Sequence, residues 1–183
     1  METFMDIQIF SAQALGIVAM ILTILSMQFR SNVKLFICQE ISGALFALSF
    51  LMMGAWGGMI MNIYSLIRPE LLRHENIAKS KWTLFGLQTL LVICAVLLLF
   101  VFKEAWYLVL IITTAQMAGT YFMWTQNGKI IRIGQASVVS PLWMTYNLII
   151  PVPSIGGVLT ESINIASVII ALYRYRKTGF TQR

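Results

Sequence analysis

The sequence predicts an all-α integral membrane protein with seven transmembrane helices, arranged as two parallel triple-helix bundles joined by one linker helix (3+1+3). The chain of 183 residues is 58% apolar and only 11% charged, with a mean hydropathy of +0.80. A soluble domain carries about 25% charged residues. The apolar residues form runs of the length of a membrane span, and the basic residues gather on one side of those runs. We expect residues 1–183 to form a single membrane domain.

The spans are read from apolar runs near the twenty or so residues that cross the hydrocarbon core as a helix. The seven runs are Phe10–Phe29, Leu35–Met53, Ala55–Ile67, Trp82–Phe102, Trp106–Trp124, Gly134–Ile150 and Gly157–Tyr173. The third run is short, and the Gly54–Gly58 segment leaves its starting point open. We assign residues 10–67 to the first bundle, 82–102 to the linker helix, 106–173 to the second bundle and 174–183 to a cytoplasmic tail.

The basic residues predict the orientation in the membrane. Of the 13 lysines and arginines, all but Lys103 fall on one side of a seven-span chain. By the positive-inside rule the N-terminus is then outside and the C-terminus is in the cytoplasm. Glu2 and Asp6 stand where a signal peptide would be basic, so we expect the first run to remain as a helix. The formal net charge of +6 therefore indicates topology, and we expect no nucleic-acid partner.

A repeat in the sequence predicts the two bundles. Asn62 and Asn164 each open a segment Asn-Ile-x-Ser-(Leu/Val)-Ile, and a Gly-Gly pair precedes both. Asn32-x-Lys likewise precedes span two, as Asn127-x-Lys precedes span six. Because one unpaired span separates the two halves, they have the same orientation in the bilayer, which makes a parallel repeat.

Two stretches resemble a known family. They run from Gly54-Ala55-Trp56 through Asn62 to Arg68, and from Trp143-x-x-x-Asn147 through Ser154-Ile155-Gly156-Gly157 to Glu161. With the three-one-three pattern of spans, they make the chain similar to the SWEET/PQ-loop transporter superfamily and, within it, to the YgjV-type bacterial inner-membrane proteins. The resemblance covers nearly the whole chain, and it implies a SWEET-like fold in the bacterial inner membrane.

The resemblance also implies a central cavity. In SWEET transporters an asparagine on the third helix of each bundle faces that cavity, and Asn62 and Asn164 occupy comparable places. The chain departs from the pattern because the first helix of each bundle lacks a proline. Within the predicted spans, the only proline is Pro141 in span six, which puts the proline-hinged gating of that superfamily in doubt here.

The candidate solute-binding residues follow from helical spacing and from the cost of polar groups in lipid. Asn62 and Ser65 share a helical face, as do Asn164 and Ser167. An amide has two donors and one acceptor carbonyl, which suits a neutral polyhydroxylated or amide-bearing solute. The alternative is a helix–helix hydrogen bond worth roughly 0.6 kcal/mol or somewhat more. The other candidates are Trp143, Asn147 and Glu161.

Two acidic residues lie inside predicted spans. A carboxylate at bilayer depth costs roughly 2.5–3.5 kcal/mol on insertion scales, so it needs a partner, a proton or water. We expect Glu40 to form an interfacial pair with Lys34 or Arg132. Glu161 stands one turn from Asn164, and the sequence leaves open whether it pairs at the interface or shares the cavity.

The sequence predicts a transporter of a small polar solute, sugar-like or another neutral metabolite, by alternating access between two bundles. The alternative is a non-transporting structural or accessory membrane protein of the same fold. No catalytic motif appears, and the lone histidine, His74, has no cysteine or carboxylate array at ligand spacing. We therefore expect no enzymatic activity, no cofactor and no metal. The expected partners are the lipid bilayer and a small polar solute.

Overall fold

The structure is a computed structural model, which describes the backbone of residues 2–180 and the side chains of residues 7–74 and 77–180. The described chain is built from helices. They are α1 (Glu2–Gln28), α2 (Asn32–Met52), α3 (Trp56–Arg73), α4 (Glu75–Ala78), α5 (Lys81–Phe100), α6 (Trp106–Trp124), α7 (Gly128–Gly134), α8 (Ser140–Ile149) and α9 (Ile155–Arg174). A π-helical segment, Gln135–Val139, joins α7 to α8 into one continuous helix.

Four helices are long and apolar enough to cross a membrane, judged by length and composition. They are α1 over Ile7–Gln28, α2, α5 and α9, with mean hydropathies between 1.8 and 2.5. The predicted class, a helical membrane protein, is confirmed. The helices α3, α6 and α7–α8 coincide with the other three predicted spans. Interior Arg68 and Gln116 lower the hydropathy of α3 and α6, and the π-helical segment divides the last span into two helices that are each short. That these three also cross the bilayer stays a prediction.

A glycine turn separates α2 from α3. Gly54 has a φ of +70°, a conformation that glycine adopts without the steric cost other residues meet. The turn allows α3 to begin at Trp56, inside the segment where the sequence left its start open. The backbone N–H of Ala55 bonds the carbonyl of Phe50 at 3.0 Å, which closes the turn against the end of α2.

Side-chain caps begin several of the other helices. Asn127 Oδ1 accepts from the backbone N–H groups of Lys129 and Ile130 at 3.0 and 3.2 Å. Ser154 Oγ accepts from the N–H of Gly157 at 3.1 Å. These bonds satisfy donors that have no partner within the first turn of a helix, so they fix where α7 and α9 start.

The π-helical segment lies directly before Pro141. Proline has no N–H, and its ring collides with the carbonyl four residues earlier in a regular α-helix. Here the N–H of Ser140 bonds the carbonyl of Gln135, five residues earlier. The wider turn admits the proline without ending the helix, as π-bulges commonly do.

The helices α1, α2 and α3 pack consecutively, and α9 packs against both α1 and α8. Helix α6 contacts α3, α5 and α8. Helix α5 is peripheral: its buried residues are Leu87, Leu91 and Leu98, while large apolar side chains such as Trp82 and Phe85 face outward. This outer surface suits lipid. Helix α9 thus joins α1 to α8, and the division into two parallel bundles, α1–α3 and α6–α9, stays a prediction.

The predicted pairing of Glu40 with Lys34 or Arg132 is wrong. Glu40 Oε2 lies 3.7 Å from Nη1 of Arg73, and no ion pair joins it to Lys34 or Arg132 among the described side chains. The reason is geometric, since Arg73 ends α3, which packs along α2, whereas Arg132 is buried against other groups.

Arg132 joins three parts of the chain. It is fully buried, and its guanidinium donates to the carbonyls of Met27 at 3.1 Å, Phe29 at 2.5 Å and Gly128 at 2.9 Å. The guanidinium carbon lies 3.8 Å from the centre of the Phe180 ring. Arg132 therefore holds the α1–α2 turn, the start of α7 and the C-terminal segment together.

Candidate functional site

A polar cavity lies among the helices. Its volume is about 90 Å³ of space open to water-sized molecules, which is room for a few waters, since one needs roughly 10–15 Å³ by that measure. Residues of α1, α2, α3, α6, the π-helical segment, α8 and α9 surround it. The polar lining side chains are Thr23, Gln39, Ser42, Asn62, Ser65, Arg68, Gln116, Gln135, Asn147, Thr160 and Glu161.

Five of the seven candidate residues line this cavity. Asn62 and Ser65 reach it from α3, Trp143 and Asn147 from α8, and Glu161 from α9. All five are buried. The structure therefore brings these five residues to one place, and their role in binding a solute stays a prediction.

Asn164 and Ser167 are not among the lining residues. Asn164 Nδ2 donates to Ser140 Oγ at 3.2 Å, and Ser167 Oγ accepts from Gln28 Nε2 at 2.6 Å. Ser167 also donates to the carbonyl of Ile24 at 3.3 Å. These bonds join α9 to α8 and to α1, which is the helix–helix alternative that the sequence left open for each asparagine.

Asn62 and Ser65 first satisfy their own helix. Asn62 Nδ2 donates to the carbonyl of Gly58 at 2.8 Å, and Ser65 Oγ donates to that of Met61 at 3.0 Å. These bonds to the preceding turn occupy one of the two amide donors of Asn62 and the only donor of Ser65, and they leave the oxygen lone pairs for other partners. Gln116 Nε2 uses one of them, donating to Ser65 Oγ at 3.0 Å.

Arg68 is the cation of the cavity. Its Nη1 donates to Gln116 Oε1 at 2.8 Å, and its guanidinium carbon lies 5.8 Å from the centre of the Tyr64 ring. The side chain is 8% exposed, and its Nε is buried without a hydrogen-bond partner. Among the described side chains, no carboxylate forms an ion pair with Arg68. A buried charge without an opposite charge is costly.

Glu161 and Asn147 bring acceptor groups to the cavity from α9 and α8. The Glu161 carboxylate interacts with the side chains of Ser140 and Asn164, and its Oε2 is buried without a partner. Asn147 Oδ1 is buried without a partner as well. Asn147 packs directly on Gly157, where a Cβ would stand 2.5 Å from Asn147 Cγ. The glycine therefore allows α8 and α9 to approach closely here.

Aromatic rings line or adjoin the cavity. The centre of the Trp143 ring lies 6.3 Å from that of Phe50 and 5.5 Å from that of Tyr146. The Phe50 and Tyr146 rings pack edge to face at 6.2 Å. Phe50 and Trp143 belong to the lining, so the site combines an apolar wall with separate polar groups, as small-molecule sites generally do.

Glu104 lies near the start of α3. It belongs to the loop between α5 and α6, and its carboxylate accepts a hydrogen bond from the backbone N–H of Gly57. Ala55 gives α3 no side-chain cap, so Glu104 supplies an acceptor at the positive end of this helix. Partial burial raises the pKa of the Glu104 carboxyl, and the bond from Gly57 opposes that rise.

Sequence reasoning missed Arg68 and Gln116 as cavity residues, although each carried a signal. Arg68 follows Asn62 and Ser65 at steps of three, so it lies on the same face of α3. The positive-inside rule accounted for Arg68 as one of the basic residues that set the orientation in the membrane. Gln116 is a lone amide in an apolar helix, the same feature that singled out Asn62. Residues 7–74 and 77–180 contain no group of three or more His, Cys, Asp or Glu residues that could hold a metal ion.

Comparison with known proteins places the chain in a family. A family model, Imp-YgjV, described as bacterial inner membrane protein, matches residues 10–179. No curated protein and no solved structure matches the sequence, and the link to the SWEET/PQ-loop superfamily stays a resemblance. Since the match extends over nearly the full length, the chain belongs to the Imp-YgjV family of bacterial inner membrane proteins.

Proposed function

We propose that this protein carries a small polar solute across the bacterial inner membrane and that the polar cavity is its binding site. The solute binds between the helices α1–α3 and the helices α6–α9, which alternately open the cavity to the two sides of the membrane. Asn62, Ser65 and Asn147 hydrogen-bond the solute, and Trp143 provides an apolar face. Asn164 and Ser167 support the site by holding α9 against its neighbours.

One observation carries the proposal. A protein built only to pack its helices would satisfy its buried polar groups within the helices, because an unpaired polar group in lipid is expensive. Buried side-chain atoms without a partner also occur elsewhere, as in Gln13, Gln88 and Asn164. Those of Arg68, Asn147 and Glu161 differ in that they belong to side chains that line a single cavity. These three residues come from α3, α8 and α9, so the groups converge from both sets of helices.

The size of the cavity constrains the proposal. Ligand sites usually enclose about 300–1,000 Å³, whereas this cavity has about 90 Å³. In the proposed cycle this state is therefore a closed one, holding water or a very small solute, and the helices separate to admit anything larger. The contact of α1 with α9 and that of α3 with α6 are the two places where such separation would occur.

The small volume also favours the alternative, a structural or accessory membrane protein without transport. In that case the cavity would hold a few waters that satisfy the unpartnered groups. Interior polar groups would then serve mainly to join helices, as the bonds of Asn164 to Ser140 and of Ser167 to Gln28 do. The two functions make opposite predictions for solute flux.

The test is a flux assay on purified protein in liposomes, with a panel of labelled sugars, polyols, amino acids, nucleosides and small carboxylates. We expect at least one solute to cross faster than in empty vesicles. Asn147→Ala should lower that flux by roughly two- to tenfold, because a hydrogen bond to the solute is worth about 0.5–1.5 kcal/mol and its loss leaves the solute group unpaired.

Thr145→Ala is the matched control. Thr145 lies on the same helix as Asn147, is exposed, and bonds the carbonyl of its own helix at Pro141, so its removal should leave flux unchanged. If no solute on the panel exceeds the background rate, or if Asn147→Ala and Thr145→Ala behave alike, transport through this cavity is wrong.

A further inference from the structure

We infer that the solute recognised in the central cavity carries an anionic group, a carboxylate or a phosphate-type oxyanion, and that Arg68 binds this group. The inference rests on the proposed function and narrows it from a small polar solute to an acidic one. It differs from the neutral solute that the paired asparagines suggested.

The first step concerns charge. Arg68 is buried, and the described side chains offer it no carboxylate in an ion pair. Glu161 lines the same cavity, but its carboxylate interacts with Ser140 and Asn164. Isolated buried charges are strongly unfavourable unless an opposite charge joins them. An anion in the cavity would supply the missing partner.

The second step concerns geometry. Arginine offers planar pairs of parallel N–H donors, which match the oxygens of a carboxylate or phosphate. Nη1 of Arg68 donates a hydrogen bond to Gln116 Oε1 at 2.8 Å. Nη1 is a different nitrogen of the guanidinium from Nε. Nε is buried and has no hydrogen-bond partner. The N–H of Nε therefore has no protein acceptor, and an oxyanion that enters as the helices separate would supply one.

The third step concerns positioning. The Gln116 side chain is held by two donations of its own, from Nε2 to Ser65 Oγ and to the carbonyl of Met61, both at 3.0 Å. Its Oε1 is thereby turned toward Arg68. The Tyr64 ring lies beside the guanidinium, and Tyr64 is itself fixed by a hydrogen bond to Thr120 at 2.8 Å. Gln116 and Tyr64 are positioning residues that keep the guanidinium in one orientation.

The experiment measures binding rather than flux, so that it can succeed or fail independently of transport. Wild-type protein in nanodiscs of a neutral lipid, phosphatidylcholine, is titrated separately with pyruvate, inorganic phosphate, chloride, alanine and glycerol at constant ionic strength. Ligand-induced stabilisation against heat gives the affinity. We expect pyruvate or phosphate to stabilise the protein, and glycerol to have no effect at equal concentration.

Arg68→Met tests the residue. The substitution removes the desolvation cost of the buried charge, but Gln116 Oε1 loses its donor. The two effects oppose each other, so this variant should fold, and its melting temperature without ligand serves as its own baseline. Its affinity for the anion should fall at least about tenfold, the loss expected for hydrogen bonds to a charged group. Arg68→Lys keeps the charge without the planar pair and should have intermediate affinity.

Lys79→Ala is the charge-matched control. Lys79 is exposed in the turn that precedes α5, so its removal should change the anion affinity less than twofold or so. If Arg68→Met and Lys79→Ala bind the anion equally well, the anion binds at the surface and the inference is overturned. It is equally overturned if none of the anions stabilises the wild type, or if glycerol does so as strongly.

The outcome also separates this inference from the proposed function. Anion binding that depends on Arg68, with no flux of any solute in liposomes, would support the anion site and contradict the carrier function. Flux of a neutral solute that is unchanged in Arg68→Met would support the carrier function and contradict the assignment of an anionic solute to Arg68.

Discussion

Two buried arginines, Arg68 and Arg132, meet the cost of a buried charge in different ways. Arg132 uses its donors on three backbone carbonyls and stacks on Phe180, so its surroundings satisfy it. Arg68 has one side-chain acceptor and a free Nε. Because a side chain with complete partners has little to offer a ligand, Arg132 supports the fold, and Arg68 is the arginine to which we assign the proposed solute.

Arg132→Ala should lower the free energy of unfolding by about 2–4 kcal/mol, because two carbonyls at the α1–α2 turn and one at the start of α7 lose a charged donor. Thermal or chemical unfolding in detergent measures the change. Arg132→Lys should recover little of the loss, since one ammonium group cannot reproduce the planar set of donors.

The control for Arg132 is Lys129→Ala, one turn earlier on the same helix. Lys129 is exposed, and surface substitutions usually change stability by less than about 0.5 kcal/mol. Equal stability of Arg132→Ala and Lys129→Ala would contradict the role assigned to the buried arginine.

Single residues also show how far the sequence could be interpreted. The rule that an amide in an apolar helix needs a partner singled out Asn62 and Asn164, and the structure places only Asn62 in the cavity lining. It could not tell that Asn164 would bond Ser140 instead, because the choice depends on which helix lies opposite. Positive charges near span ends have two explanations, topology and burial, and sequence alone favoured topology for Arg68.

At the scale of helices, close approach depends on glycines at particular positions. Gly58 in α3 faces Phe50 of α2, and a Cβ on Gly58 would lie 2.6 Å from the Phe50 ring. Phe50 is buried and packs with Trp143 and Tyr146, so it has little room to move. The α2–α3 contact therefore requires glycine at position 58.

Gly58→Ala should destabilise the protein by about 1–3 kcal/mol, the usual cost of an added methyl group in a packed interior. Gly86→Ala in α5 is the matched control, because nothing lies within 4 Å of its Cβ position. There we expect a neutral effect or a gain of up to about 1 kcal/mol from better helix propensity. Melting temperatures in one detergent would compare them, and equal values would contradict the packing described.

Helix positions were more predictable than helix boundaries. Runs of apolar residues placed the long helices well, because the length of a span and the period of a helix are both visible in the sequence. The first turn of α3 and the π-helical segment were not predicted. Both depend on backbone geometry around Gly54 and Pro141, where the chain selects one of several local hydrogen-bonding patterns.

At the scale of the whole molecule, the direction of the chain in the membrane determines which side of the cavity each group faces. The basic residues predict an N-terminus outside and a C-terminus in the cytoplasm. This orientation requires an odd number of crossings. It would therefore fail if α3, whose C-terminal part carries Arg68, Pro69 and Glu70, did not cross the bilayer.

Reporter fusions test this orientation. A fluorescent protein fused after the C-terminus should fluoresce, and an alkaline phosphatase reporter inserted at Lys103 should be active, since that loop is predicted to face outward. A phosphatase inserted at Lys79 should be inactive. Activity at both insertion sites, or at neither, would show that the number of crossings between them differs from the predicted one.

The π-helical segment has a consequence for how this chain can vary. A helix that gains or loses one residue rotates everything beyond that point by about 100°. The π-helical segment absorbs that rotation locally, so removing one residue between Gln135 and Val139 would leave a regular α-helix with Arg132 and Asn147 in nearly the same phase. The deletion would act on Pro141 instead, because in a regular turn its ring would meet the carbonyl four residues earlier and bend or break the helix there.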